Sequence, residues 1–425
     1  MRLSILVFSL LLAACAQPEI SQERVERVIS TLASDDMRGR AAFSPDADRA
    51  ADFIAGEFED IGLETFGGAE GYLQRFPVYS TTARDVIVAL NGAEQTDVAA
   101  SLSADVNWAP DSGPEPVVVS AEDDLTGAWR TARNTGDALL LVHPAHAETF
   151  GRIAGFLGRP TRSLESGGRG NSLVMVLTDQ TIRSGYSVTG TAATEELELA
   201  NVVGVIPGRR PDEVVLFSAH YDHIGIRPGD SADADSIANG ANDNASGTTA
   251  VIELAHYFEA MPRQERTMVF VAFTAEEVGG YGSRHFSSQM NPDEIVAMLN
   301  IEMIGKGAVE GPNTAWITGF DRSDFGAILQ SAVEGTEFSF YADPYPNQNL
   351  FYRSDNATLA RLGVPAHTLS TTPIDVDPDY HQVSDHVETL DIPHLTATIR
   401  AIAAGATTII SGEATPARID PQTVN

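Results

Sequence analysis

The stretch that decides the fold runs from Val214 to Ile304 and reads VVLFSAHYDHIG (214–225), then GANDNASGTTA (240–250), MVFVAFTAEEVGG (268–280) and MLNIEMI (298–304). Three of these segments begin with an apolar run, which is typical of a strand buried on both faces of a parallel sheet. The segment at 240–250 predicts a turn that opens a helix, so strand, helix and strand form a crossover unit.

The apolar runs are followed by residues that can hold a metal ion or move a proton. In open α/β sheets, sites form at the carboxyl ends of the strands, so we expect these side chains to meet at one edge. The set comprises His220, Asp222, Asp243, Glu276, Glu277 and Glu302, together with His381 in the late loop DVDPDYHQVSDHVETLD (375–391).

This set has the composition that a pair of zinc ions requires. Two ions close together need about six His and carboxylate ligands, including a shared carboxylate, and a base that is not a ligand. Glu276 and Glu277 are adjacent, but in a loop at a strand end they can diverge, so that one holds metal while the other reaches the attacking water. Asp222 is a candidate acceptor for the imidazole N–H of His220. The HEXXH pattern of helix-borne single-zinc sites is absent.

The rest of the chain predicts an α/β protein with a three-layer α/β/α domain, a mixed, largely parallel central sheet and an inserted small β-rich domain. We expect an N-terminal part of the main domain at 15–104, the insert at 105–190, the main domain at 191–412 and a tail at 413–425. Within the insert, His143 and His146 form a possible metal pair, which we do not favour because no carboxylate lies nearby at ligand spacing.

Composition and the N-terminus bear on partners and location. The 425 residues carry a formal charge of −32, which disfavours nucleic acid and anionic lipid surfaces as partners. Residues 1–14 resemble a bacterial lipoprotein signal peptide, because Leu12-Ala13-Ala14-Cys15 is similar to a lipobox. We therefore expect an exported protein of the bacterial cell envelope, attached to a membrane by lipid on Cys15. An ordinary secretory signal is the alternative. The sequence does not predict the oligomeric state.

The ordered motifs SAHYDHIG, GANDNASG, FTAEEVGGYGS, NIEMIG and DYHQVSDH resemble those of the co-catalytic di-zinc aminopeptidases, metallopeptidase family twenty-eight. NVVGVIPG (201–208) and SDNATLARLGVPAHTLS (354–370) are similar as well. The resemblance covers roughly Ser21–Gly71 and Asn201–Gly412. The insert resembles the protease-associated domain found in many members.

The resemblance implies a role for each motif residue in the hydrolysis of peptides. His220 and Glu302 would ligate one Zn²⁺, Glu277 and His381 the other, and Asp243 would bridge the two. Glu276 would act as the general base, and Asp222 would orient the imidazole of His220. The position of Glu302 is commonly Asp in the family, and SDN at 354–356 often reads SDH.

Three alternatives remain open at this point. A dipeptidase or carboxypeptidase on the same fold would use the same centre. Glutaminyl cyclases, which are related, use a single zinc. The family also includes receptor-like binding modules with degraded sites, which the complete set of candidate residues disfavours.

Overall fold

The computed structural model describes residues 18–166, 170–227 and 235–424. The predicted signal peptide (1–14) and Cys15 lie outside the described residues. The chain divides into two compact units, one made of the described residues of Met1–Gln74 and Ala200–Asn425 and the other of Arg75–Leu199. Within the described ranges, none of the helices has both the length and the apolar character that crossing a bilayer requires.

The helices and strands of the described residues follow one another along the whole chain. The α-helices are α1 (Gln22–Leu32), α2 (Pro45–Ile61), α3 (Leu125–Thr135), α4 (Ala147–Leu157), α5 (Ser246–Glu259), α6 (Tyr281–Gln289), α7 (Phe325–Ala332), α8 (Asn356–Ala360) and α9 (Ile392–Ile410). The strands are β1 (Glu64–Thr65), β2 (Leu73–Leu90), β3 (Ala93–Glu94), β4 (Val98–Ser101), β5 (Val106–Trp108), β6 (Val117–Val119), β7 (Ala138–Val142), β8 (Thr161–Ser163), β9 (Leu173–Leu177), β10 (Tyr186–Ile206), β11 (Arg210–His220), β12 (Gly225–Ile226), β13 (Ile237–Ala238), β14 (Arg266–Phe273), β15 (Ile295–Ile301), β16 (Thr314–Ile317), β17 (Ser339–Ala342) and β18 (Ala366–Ser370).

The first unit is built around a mixed sheet with the strand order β17-β16-β18-β15-β11-β14-β10. The central strand β11 runs parallel to both of its neighbours, β14 and β15, and β15 runs parallel to β18. The β16/β17 pair is also parallel, whereas β16/β18 and β10/β14 are antiparallel. The predicted α/β fold with a mixed, largely parallel sheet is therefore confirmed.

Both faces of this sheet are covered, as the apolar runs require. Successive side chains of a strand point to opposite faces. On β11, Val215 and Phe217 join a core with residues of α1, α2, α5 and α9. Val214 and Leu216 join a second core with residues of α6 and α8. Helices therefore lie on each side of the sheet, and every residue of β14 is buried between them.

The second unit has cores of its own. Strands β4, β9, β7 and β6 form a sheet in that order, and α3 and α4 pack on one of its faces. This unit, Arg75–Leu199, is longer at both ends than the insert expected at 105–190. The added residues belong mainly to the long strands β2 and β10, whose polar alternation gives no sharp boundary in the sequence. Its identification as a protease-associated domain stays a prediction.

Candidate metal centre

The predicted site residues meet at the carboxyl edge of the central strands of the first unit. Strand β11 ends at His220, β14 ends three residues before Glu276, and β15 ends one residue before Glu302. Because β15, β11 and β14 are neighbours and parallel, their carboxyl ends lie side by side. The loop that leads into α5 brings Asp243 to this edge, and the loop before α9 brings His381.

Asp243 lies at the middle of the cluster. Its Oδ1 is 3.4 Å from Nε2 of His220, and its Oδ2 is 3.2 Å from Nε2 of His381. His381 Nε2 is also 3.3 Å from Oε2 of Glu277. The ligand atoms fall into two groups that share Asp243, one with His220 and Glu302 and the other with His223 and Glu277.

These distances suit metal ligands. Two ligand atoms on a tetrahedral zinc, each about 2.0–2.1 Å from the ion, are separated by about 3.3 Å. Several of the atoms are also buried without a hydrogen-bond partner among the described residues, namely Nε2 of His220, Oε1 of Glu277 and Oε2 of Glu302. Buried polar atoms normally have partners. The donor set therefore fits a cation at each of two positions.

The pKa shifts of the buried carboxyl groups also favour a bound cation. Burial, opposed by His220 and reinforced by Asp243, raises the pKa of Glu302 to about 7. Burial likewise raises the pKa of Asp222 to about 7, against the opposing effect of His220. The pKa of Glu276 is raised well above its usual value, first by burial and then by neighbouring carboxylates such as Glu302. So many buried carboxyl groups take up protons unless a cation neutralises them.

The contacts of Asp222 differ from the prediction that its carboxylate accepts the imidazole N–H of His220. The ring Nδ1 of His220 lies 3.1 Å from the backbone carbonyl of Asp222, and the carboxylate Oδ1 is farther away, at 3.7 Å. That Oδ1 accepts the backbone N–H of Glu276 at 3.0 Å. Asp222 thus orients His220 through its carbonyl and fixes the backbone of Glu276 through its carboxylate.

The Asp243 loop is held by three buried side chains. Asp385 accepts the backbone N–H groups of Asn242 and Asp243. Asn244 accepts N–H groups of Gly247 and Met303 and donates to the carbonyl of Ile301, which joins the loop to the end of β15. Arg40, fully buried, donates to the carbonyls of Leu32, Tyr221, Asn239 and Gly240. The peptide bond between Asp243 and Asn244 is cis.

The His381 loop is tied down as well. Lys306, which follows Glu302 by four residues, places Nζ 2.5 Å from Asp377 and 2.8 Å from Asp379. Arg227 donates to the carbonyl of His381 at 2.8 Å. The ring of Tyr380 stacks on that of His381 with centroids 3.9 Å apart.

Left-handed backbone conformations concentrate at this edge. Ala275 (φ 59°), Met303 (φ 53°) and His381 (φ 58°) all have positive φ without being glycine. Such conformations cost about 1–3 kcal/mol each and persist where the surroundings enforce them, often at functional sites. Here they flank or include Glu276, Glu302 and His381.

The motifs of the sequence did not indicate that His223 and Lys306 belong to this site. His223 lies in the quoted segment, one residue after Asp222, and Lys306 is the single lysine of the chain. The disfavoured pair His143 and His146 lies in the second unit, where each makes a local contact with the backbone.

Comparisons with known proteins identify a family and several relatives. The family model for peptidase family M28 matches residues 201–406. A leucine aminopeptidase 1 of Trichophyton rubrum is 30% identical over 207 residues, 46% of this chain and 54% of its own. A probable zinc metalloprotease of Pyricularia oryzae is 32% identical over 230 residues, 50% of this chain and 43% of its own. The chain thus spans about half the length of the curated relatives it matches.

Solved structures are similar over almost the whole chain. An aminopeptidase from Aneurinibacillus sp. strain AM-1 superposes with a TM-score of 0.54 at 17% identity, covering 96% of each chain. A zinc aminopeptidase from Bacillus subtilis gives a TM-score of 0.58 at 17% identity, covering 94% of this chain and 97% of that one. At this identity the likeness establishes the fold.

Proposed function

We propose that this chain, whose residues 201–406 form a peptidase family M28 domain, is a metallo-aminopeptidase that uses two zinc ions to remove N-terminal residues from peptides. The observation that carries the proposal is the position of Asp243, whose two carboxylate oxygens face His220 and His381. A carboxylate in that position could be shared by two metal ions, which in two-metal sites lie about 3.5–4 Å apart. The names of the relatives, a leucine aminopeptidase and a probable zinc metalloprotease, support the same activity.

The chain supplies the proton transfer. Bound zinc ions lower the pKa of an attacking water and stabilise the oxyanion that develops on the scissile carbonyl. We assign to Glu276 the role of taking the proton of that water and passing it to the leaving amine. Its backbone is fixed by Asp222, and its raised pKa suits a group that must both accept and return a proton.

A cavity beside the metal centre is the proposed site for the substrate's N-terminal side chain. Its lining includes Glu302, Met303, Trp316, Leu350 and Ile374. Its wall also contains hydroxyl groups, but these are used within the protein: Thr368 donates to Asn356, and Ser370 and Thr372 donate to the carbonyl of Met303. The surface left for a substrate is therefore largely apolar, which favours leucine-like side chains.

One feature of the cavity favours a dipeptidase as the second candidate function. The guanidinium of Arg353 lines the cavity and has only long contacts, 3.3 Å each, to Gln348 and to the hydroxyl of Tyr380. No carboxylate partner of Arg353 occurs among the described residues. A substrate carboxylate bound here would select dipeptides.

A panel of leucine substrates separates these functions. We expect hydrolysis of leucyl-p-nitroanilide and of leucyl peptides, with loss of turnover when the α-amine is acetylated. Faster cleavage of the acetylated substrate would refute aminopeptidase action. Turnover restricted to dipeptides with a free carboxylate would establish the second candidate. Metal analysis should give two zinc ions per chain, and a value near one would contradict the shared role of Asp243.

We also propose that the protein is exported and attached to a membrane of the bacterial envelope by lipid on Cys15. The support is the sequence Leu12-Ala13-Ala14-Cys15 after an apolar core. Expression in a bacterial host with labelled fatty acid should label the chain, and Cys15→Ser should abolish the label. Label retained in that variant would exclude this anchor.

A further inference from the structure

His223 is a buried histidine at the metal centre for which the proposed function has no role. It follows β11 by three residues, and its side chain has no exposed surface. Its Nδ1 is 2.8 Å from Oε1 of Glu277 and 4.0 Å from Oδ2 of Asp243. Neither of its ring nitrogens has a hydrogen-bond partner among the described residues, and the same holds for Oε1 of Glu277.

The geometry points to His223 as a sixth protein ligand of the metal centre, at the position formed by Asp243 and Glu277. This inference rests on the proposed zinc centre and names a ligand beyond the five expected from the sequence. A buried imidazole that served only packing would have at least one nitrogen satisfied by a hydrogen bond. A cation in contact with both atoms would neutralise the repulsion between the nitrogen lone pair of His223 and the carboxylate oxygen of Glu277, which lie 2.8 Å apart.

Two histidines approach the Glu277 carboxylate from different sides. Nδ1 of His223 faces Oε1, and Nε2 of His381 faces Oε2. The two rings meet edge to face with centroids 6.0 Å apart. Since zinc lies about 2.0–2.1 Å from an imidazole nitrogen, and the ring centroid about 1.1 Å beyond it, two rings on one ion have centroids about 5.1 Å apart at the tetrahedral angle and at most about 6.4 Å apart. The observed separation of 6.0 Å lies between these two values.

The His223 ring is also held in place. Its backbone N–H donates to the carbonyl of Arg40 at 3.3 Å. Gly240 passes directly over the ring, because a Cβ at that residue would lie 2.5 Å from Cγ and 2.6 Å from Cδ2 of His223. Arg40 in turn donates to the carbonyl of Gly240. The imidazole is thus fixed towards the carboxylates, as a ligand must be.

The assignment makes the two metal positions unequal. The position beside His223 would have two imidazoles and two carboxylates as ligands. The position of His220, Asp243 and Glu302 would have one imidazole and two carboxylates. A complete set of four protein ligands is typical of structural zinc, and three ligands leave a place for water. We therefore infer that the ion beside His223 binds more tightly and that the ion beside Glu302 is the one open to the attacking water.

The test is a count of imidazole ligands by X-ray absorption at the zinc edge, on the full chain loaded with zinc. We expect three imidazoles shared by two ions in the wild type and two in His223→Ala. Equilibrium dialysis should show a loss of affinity of about a hundredfold for one ion. His256→Ala, a substitution on α5 away from the centre, is the matched control and should change neither value.

The outcomes separate the inference from the proposed function. An unchanged imidazole count in His223→Ala, even with weaker zinc binding, would overturn the ligand assignment, since it would mean that His223 only positions Glu277. A wild type with two zinc ions and peptidase activity but only two imidazoles would overturn it too and leave the proposed function intact. A wild type without zinc or activity would refute both. His223→Gln, which keeps a polar side chain, provides the same count if the alanine variant does not fold.

Discussion

Glu302→Gln should change the pH dependence of stability in the metal-free protein. In the folded state burial raises the pKa of Glu302 from 4.5 to about 7. Between these values the folded state holds a proton that the unfolded state has released, so the free energy of unfolding falls as pH rises through this window. Above pH 7 the carboxylate of Glu302 is charged and buried beside Asp243. The stability that its proton contributed to the folded state has then been lost.

The size of the effect follows from the two values. A difference from 4.5 to about 7 corresponds to a loss on the order of 3 kcal/mol. Glutamine has no proton to release, so the variant avoids this loss. We expect the stability of metal-free Glu302→Gln relative to the wild type to increase by about 2–3 kcal/mol between pH 5 and pH 8. That gain is a large part of a typical stability of about 5–15 kcal/mol.

Urea denaturation with a chelator present, at pH 5, 6, 7 and 8, measures the difference. Burial lowers the pKa of His367 to about 4, so this residue makes the free energy of unfolding rise with pH. Its contribution is the same in the wild type and in the variant, and it cancels when the two are compared. Glu334→Gln, a substitution at the surface, is the control and should show a difference independent of pH. A Glu302→Gln effect that is equal at pH 5 and pH 8, or that decreases, would refute the reasoning. With zinc present the order should reverse, because the variant lacks a ligand.

Three further substitutions test other parts of the centre. Glu276→Gln should keep the bound zinc and lose activity by about 10²–10⁴-fold, because the base is gone; retained turnover with a leucyl substrate would remove Glu276 from that role. Lys306→Met should free the loop of His381 and weaken zinc binding by about 10–100-fold in dialysis; unchanged affinity would mean that the ion pairs are dispensable. Gly240→Ala should destabilise the protein by at least about 1–3 kcal/mol in urea, since Gly240 has φ 55° and its Cβ would strike the ring of His223; a neutral effect would contradict the contact.

The sequence predicted the central strands and the meeting of their ends because both follow from short-range rules. Continuous apolar runs such as MVFVAF (268–273) are compatible with burial on both faces, and β14 is buried throughout. From Ile392 to Ile410 the sequence predicts a helix, and α9 has those bounds. A strand is predicted at Ala315–Thr318, and β16 spans Thr314–Ile317.

Features that depend on distant partners were not predictable in the same way. His223 follows His220 by three residues, and alternation along a strand gives no reason for both to face the same metal centre. The chain leaves the strand at Tyr221, and only the contact of Gly240 with the ring shows where His223 is directed. Lys306 likewise acquires its role from Asp377 and Asp379, more than seventy residues later.

The extent of β10 was also missed. The segment NVVGVIPG predicts a strand that starts at Asn201, but β10 begins at Tyr186. Its earlier part includes the exposed, acidic residues Glu195 and Glu196, which in sequence are typical of a connector. Pairing with β5, through Val188 and Trp108, is a contact between segments that the sequence alone does not join.

The placement of the ligands at separate strand ends has a consequence for the order of folding. His220, Asp243 and Glu302 come together only when β11, the turn before α5 and β15 have assembled. An unfolded chain therefore offers no local pair for this position and gains little from the ion, unlike small domains that the metal itself organises. We therefore expect bound zinc to slow unfolding and to leave the folding rate unchanged, because its ligands come together only when the sheet has assembled.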